Sequence, residues 1–201
     1  SDLLNRLDSV LRGHPQTGDL MTERVTWLLV DGENIDATLG QSILGRRPLP
    51  DERPRWDRLL QFVDEQWKQP ARGLFFLNAS NHLPMSFVQA LLALGYKPVP
   101  LSGDADEKVV DIAIQRTLAA LKERTDDVVL VSHDRDFVAE VAALTGPDRR
   151  VGVLAFSEFR SSELTAIPGV EFFDLEYDVH AFDAPLPRVR VIPIETFDPW
   201  E

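Results

Sequence analysis

VVLVSHDRDFVAEVAAL, residues 128–144, is the stretch on which the reading of this chain turns. Its first half is a continuous apolar run of β-branched and leucine residues ending at Val131. Its second half has the spacing of a short helix that a glycine stops at Gly146. A strand apolar on both faces and followed at once by a helix belongs to a buried parallel sheet. Between the two halves stand Ser132, His133, Asp134, Arg135 and Asp136, where a structural turn needs at most one polar cap.

The same alternation repeats along the chain. VTWLLV (25–30), GLFFLN (73–78), KPVPL (97–101), RVGVLAF (150–156) and VEFFDL (170–175) are the further strand candidates. Helical spacing is expected over 55–67, 83–95, 106–125, 136–146 and 161–167. Residues 40–54, GQSILGRRPLPDERP, are read as a long loop bordering a site. The fold expected is therefore a three-layer α/β/α, Rossmann-like domain with a mainly parallel sheet of five to six strands. Three parts are expected. Residues 1–22 form a short helix, built on Leu3, Leu4, Leu7, Val10 and Leu11, and a linker. Residues 23–178 form the domain and 179–201 a Pro-rich tail lying extended over it or over a partner.

Bulk properties narrow the function. With 201 residues and 44% hydrophobic content the chain affords one sizeable packed core. No apolar run reaches the roughly 18 residues of a membrane span, so no membrane contact is expected. The first residues, SDLLNRLDSV, carry acids and no apolar signal core, so no secretory leader is expected. Cysteine is absent, which excludes thiol catalysis and leans weakly towards the cytoplasm. The net charge of −12 weighs against coating nucleic acid through a broad basic surface, yet leaves room for local phosphate contacts.

The acids fall at one place. Function in such sheets sits at the carboxyl ends of the strands. Asp31 directly follows the first strand in LLVDGENID, and Asp134 and Asp136 follow the fourth. Asp111 lies in the first turns of the long helix, which itself follows the third strand. Singly, each has a structural reading as a cap, a turn residue or a solvated charge. Crowded together, they would raise one another's pKa values, a penalty that a divalent cation removes. Oxygen ligands without cysteine or a His-x-x-x-His spacing point to Mg²⁺ or Mn²⁺ rather than zinc. Such a cation activates water and neutralises charge on a phosphodiester transition state.

LLVDGENID, EKVVDIAIQRTL and VVLVSHDRDFVAEV, in this order, resemble the NYN domains of the PIN-like nucleases. The first matches the strand ending in D-x-x-N, with Asp31 and Asn34; the second matches the K-x-x-D helix, with Lys108 and Asp111. The third matches S-G-D-x-D-F through Ser132, Asp134, Asp136 and Phe137, with His133 in the glycine position. LAFSEFRSSELTAIPGVEFFDL resembles the family's last strands, and the likeness covers roughly residues 25–175. The resemblance implies a metal-dependent nuclease, foremost a ribonuclease acting on RNA. Asp31, Asp111, Asp134 and Asp136 would then be both the catalytic and the metal-binding residues for Mg²⁺ or Mn²⁺. Asn34, Ser132, Lys108, Arg135 and Arg160 would orient water, ligand or scissile phosphate. His133 is read as a plain polar residue and kept out of the ligand set.

Three other readings compete. A haloacid-dehalogenase phosphatase needs D-x-D after the first strand, where this chain has Asp31-Gly32-Glu33. A Toprim-like site needs an early glutamate and has no role for Asp111. A non-catalytic RNA- or protein-interaction module, using the N-terminal helix or the Pro-rich tail for a protein partner, fits the acidic charge.

Overall fold

The computed structural model describes residues 24–188 and 191–200. The expected helix within residues 1–22 lies outside them. Among the described residues six strands form: β1 (Thr26–Asp31), β2 (Ala71–Asn78), β3 (Tyr96–Leu101), β4 (Asp127–Val131), β5 (Val151–Ala155) and β6 (Val170–Asp174). All pair in parallel, in the order β3-β2-β1-β4-β5-β6. β3 therefore lies at an edge, which suits its prolines. Pro98 and Pro100 are two residues apart, so both missing N–H groups fall on the same side of the strand.

The helices are α1 (Gly32–Ala37), α2 (Trp56–Gln66), α3 (Met85–Ala93), α4 (Val109–Leu121), α5 (Val138–Leu144) and α6 (Ser162–Thr165). Strand alternation sorts the core into two halves. Trp27 and Leu29 of β1 face a cluster with Ala113, Ile114, Leu118 and Leu121 of α4, Val141 and Leu144 of α5, and Leu164 of α6. Leu28 and Val30 face the other, with Ile35 of α1, Leu59 and Val63 of α2 and Leu91 of α3. Every residue of β1 and β4 is buried, as a central parallel strand covered on both sides must be. The three-layer architecture and parallel sheet expected from the sequence are present. Among the described residues no helix is long and apolar enough to cross a membrane.

Two expectations are corrected. The segment read as a loop from residue 40 is helical at its start, because α1 runs on as a π-helical turn, Thr38–Leu44. Ile35 and Leu39 are fully buried and Ile43 packs partly on the same core, a helical i, i+4, i+8 stripe. Gly45, at φ 71°, then ends the turn with its N–H bonded to the Gly40 carbonyl. The long helix expected over 106–125 is trimmed to α4, and that expected over 136–146 begins with a 3₁₀ turn, Arg135–Phe137, before α5.

Past β6 the chain keeps contact with the domain. Val179 and Ala181 are buried in the second cluster, and Phe182 stacks on Phe156 with ring centroids 5.7 Å apart. Asp183 accepts hydrogen bonds from Arg55 and Arg58 at the start of α2.

Candidate metal centre

The strand order reverses between β1 and β4, since β2 and β3 lie to one side and β5 and β6 to the other. Connections leaving the two central strands diverge there and open a crevice at their carboxyl ends. Asp31 is the last residue of β1, and Asp134 follows β4 by three positions. Asp111 reaches the same crevice from the first turn of α4. One carboxylate oxygen from each of Asp31, Asp111 and Asp134 lies within 4.8 Å of the others. Three acids from three separate elements converge, and among the described residues none of them forms an ion pair with Arg or Lys.

Other buried acids of the protein look different. Asp126 accepts from Trp27 Nε1 and Arg124 Nε, and Asp127 from Arg24 and Gln69, closing the opposite end of the sheet. Asp174, at the end of β6, accepts from Ser157, Glu176 and Tyr177. Those carboxylates are matched by several donors or cations, whereas the trio has few donors and faces its own repulsion. Burial first, with Asp111 and Asp134 adding to it, pushes the Asp31 carboxyl up from 3.8 to about 7, against the Ser132 hydroxyl and the Asn34 backbone N–H. The Asn34 N–H is close enough to favour the anion, yet Asp31 makes no capping bond of ordinary geometry to α1. Burial also raises Asp111, with Asp134 next among the causes and Lys108 opposing.

Ser132 and Asn34 hold the crevice in shape. Ser132 Oγ donates to Asp31 Oδ2 at 2.9 Å and accepts the Asp134 backbone N–H at 3.1 Å, tying β1 to the turn after β4. Asn34 Oδ1 accepts the His133 backbone N–H at 2.8 Å. Asp134 Oδ1 accepts the Asp136 N–H at 2.9 Å, so one of its oxygens caps the 3₁₀ turn and the other is left for the crevice.

The remaining sequence candidates are less close. Asp136 is not brought into the trio; its carboxylate is exposed and lies 3.9 Å from Lys108 Nζ. Asp134 caps the 3₁₀ turn and Asp136 lies within it, so a two-residue spacing does not aim them together. Arg135 is exposed. Arg160 Nε donates to the Ser157 carbonyl, and its guanidinium lies 5.0 Å from the Phe172 ring, so its described contacts are with the β5–β6 side.

His133 carries more than the sequence reading allowed. It is 8% exposed and stacks on Phe156. Its Nε2 accepts the Phe156 backbone N–H at 2.9 Å, so the proton resides on Nδ1, which faces Asn34 Oδ1 at 3.0 Å. The imidazole thus bolts α1 and the end of β5 to the turn that carries Asp134. Burial depresses its pKa to about 4, keeping it neutral. With both nitrogens engaged it is no metal ligand. No local pattern could have revealed this, because Phe156 lies 23 residues away.

A groove of about 930 Å³ lies along the tail, lined by His180, Phe182, Leu186 and Arg188 among others. None of the clustered acids borders it. A smaller one, about 570 Å³, opens beside α1, which directly follows Asp31.

The sequence matches the family model of the NYN domain over residues 25–176. No curated protein matches the chain. The match spans most of the chain, which therefore belongs to the NYN domain family, a family of nuclease type with a PIN-like fold.

Proposed function

We propose that this NYN domain is a metal-dependent ribonuclease that hydrolyses phosphodiester bonds at the Asp31–Asp111–Asp134 crevice. One observation carries the reading: three carboxylates from separate elements share a space within 4.8 Å with no basic partner among the described residues. The donor set suits a hard cation. It offers carboxylate oxygens alone, because His133 is withdrawn into structural hydrogen bonds, and such a set favours Mg²⁺ or Mn²⁺ over zinc. When bound, the cation would supply an activated water and neutralise charge on the phosphoryl oxygens.

The chain's own residues then have separable roles. Asp31, Asp111 and Asp134 would hold the ion, with Asp31 buried at the floor and the other two half-buried. Ser132 fixes Asp31 in orientation, and Asn34 fixes the turn of Asp134. Asp136 lies at the exposed rim, where it can orient an incoming water and where Lys108 offsets its charge. Lys108 and Arg135 are exposed cations on the same rim, available to backbone phosphates; Arg160 is assigned a more distant contact. Within the proposed division, residues 23–178 form the catalytic domain, and the N-terminal segment and tail offer a surface for a protein partner. The setting proposed is the cytoplasm.

The test is cleavage of a mixed RNA pool, with a matched DNA pool beside it, in Mg²⁺, Mn²⁺ or chelator. Metal-dependent RNA loss that disappears in Asp134→Asn is the expected result. RNA left intact by a folded, metal-loaded wild type would instead favour an interaction module.

A further inference from the structure

The stretch GRRPLPDERP (45–54) has no part in the metal centre, yet it concentrates arginines in a chain of net charge −12. The structure folds it back along α1, so that Arg46, Arg47 and Arg53 line the groove of about 570 Å³ together with Asp36 and Gly40. The three arginines are not equivalent. Arg46 is spent on Glu52 through two hydrogen bonds of 2.6 and 2.7 Å. Arg47 is exposed, and among the described residues it forms no ion pair. Arg53 forms a long ion pair with Asp36, at 3.9 Å, and its buried Nε has no hydrogen-bond partner. One free guanidinium and one loosely engaged guanidinium therefore share one concave place. Guanidinium is the side chain that recognises phosphate through paired N–H donors.

The groove adjoins the metal centre. Asp31 and Asp36 are five residues apart on the strand end and α1, about 8 Å at roughly 1.5 Å per residue. Glu33 lies between them.

We propose that Arg47 and Arg53 form a subsite that grips a backbone phosphate of single-stranded RNA beside the bond at the metal centre. The identity of the ligand rests on the nuclease reading. The physical need is independent of it: a polyanion approaching a protein of this charge requires a local cationic foothold.

The test is anisotropy of a short labelled single-stranded RNA titrated with the full chain in Ca²⁺ across a salt series, with a gel to check that the RNA is intact. Arg47→Ala and Arg53→Gln should each weaken binding about tenfold and lower the salt slope by about 0.7. Arg72→Ala removes a cation from the start of β2, at the opposite end of the sheet, and should leave affinity unchanged. Arg47 is exposed, so its loss leaves the packing intact; melting curves check Arg53→Gln. Wild-type affinity in both variants, losses no larger than that of Arg72→Ala, or no RNA binding by the wild type would each overturn the subsite. A parallel incubation in Mn²⁺ separates the two ideas. Arginine-dependent binding without cleavage would leave the subsite standing and remove the nuclease reading.

Discussion

Asp31→Asn in metal-free buffer measures the electrostatic cost of the crevice directly. Asp31 is 3% exposed and its pKa is raised from 3.8 to about 7. Between those values the native state keeps a proton that the unfolded chain has lost, so stability falls as pH climbs and is flat above about 7. The rise is roughly three pH units at about 1.4 kcal/mol each, so the cost at pH 8 is about 4 kcal/mol. Asparagine removes that cost while keeping an oxygen to accept the Ser132 hydroxyl. His133 acts in the opposite sense. Its pKa is lowered from 6.5 to about 4, so the unfolded chain takes up a proton that the native state refuses, and stability falls as pH drops through that window. In the wild type the two trends partly cancel between about pH 4 and 6.5, whereas the variant should lose the Asp31 trend and keep the histidine one. Urea unfolding with chelator from pH 4 to pH 8 reads both. The variant should match the wild type near pH 4 and exceed it by about 4 kcal/mol at pH 8, or about 8–16 °C in melting temperature. A difference that stays constant with pH, or vanishes at pH 8, would refute the claim that a buried, ionised Asp31 strains the apo fold.

Three further outcomes are expected. Millimolar Mn²⁺ should raise the wild-type melting temperature near neutral pH, by about 2.7 kcal/mol of stability at a hundredfold excess over Kd; Asp134→Asn should lose both that response and the nuclease activity, and equal metal shifts in the two proteins would remove Asp134 from the ligand set. His133→Ala leaves the Phe156 N–H and one Asn34 acceptor bond unmade, so denaturant unfolding should show a loss of about 2–4 kcal/mol and calorimetry a weaker Mn²⁺ affinity. In Gly32→Ala a Cβ would meet the Phe75 ring at 2.5 Å, so the substitution should cost about 1–3 kcal/mol by overpacking beside Asp31, read as a lower melting temperature.

Much of this protein is written locally. The apolar runs ending at Val30 and Val131 are continuous because both faces of β1 and β4 are covered, and that can be read residue by residue. The acids at the ends of those runs follow from the same reading, as does Asp111 beside Val110 on α4. What depends on partners distant in sequence could not be read. The reversal of strand order that opens the crevice between β1 and β4 is a matter of which strands pair, and pairing energy is spread over residues a hundred positions apart. The helical run Gly32–Leu44 was obscured by glycines that lower helix propensity, and it forms because Ile35 and Leu39 are buried against the sheet. The spacing of Asp134 and Asp136 was visible, but the 3₁₀ turn that Asp134 caps and that contains Asp136 sends one into the crevice and the other out to Lys108. His133 reads as an ordinary polar loop residue until Phe156 and Asn34 meet its two nitrogens. Strand and helix are set by side-chain periodicity, which any short window contains. The centre itself is set by long-range packing, which brings three carboxylates together against their own repulsion.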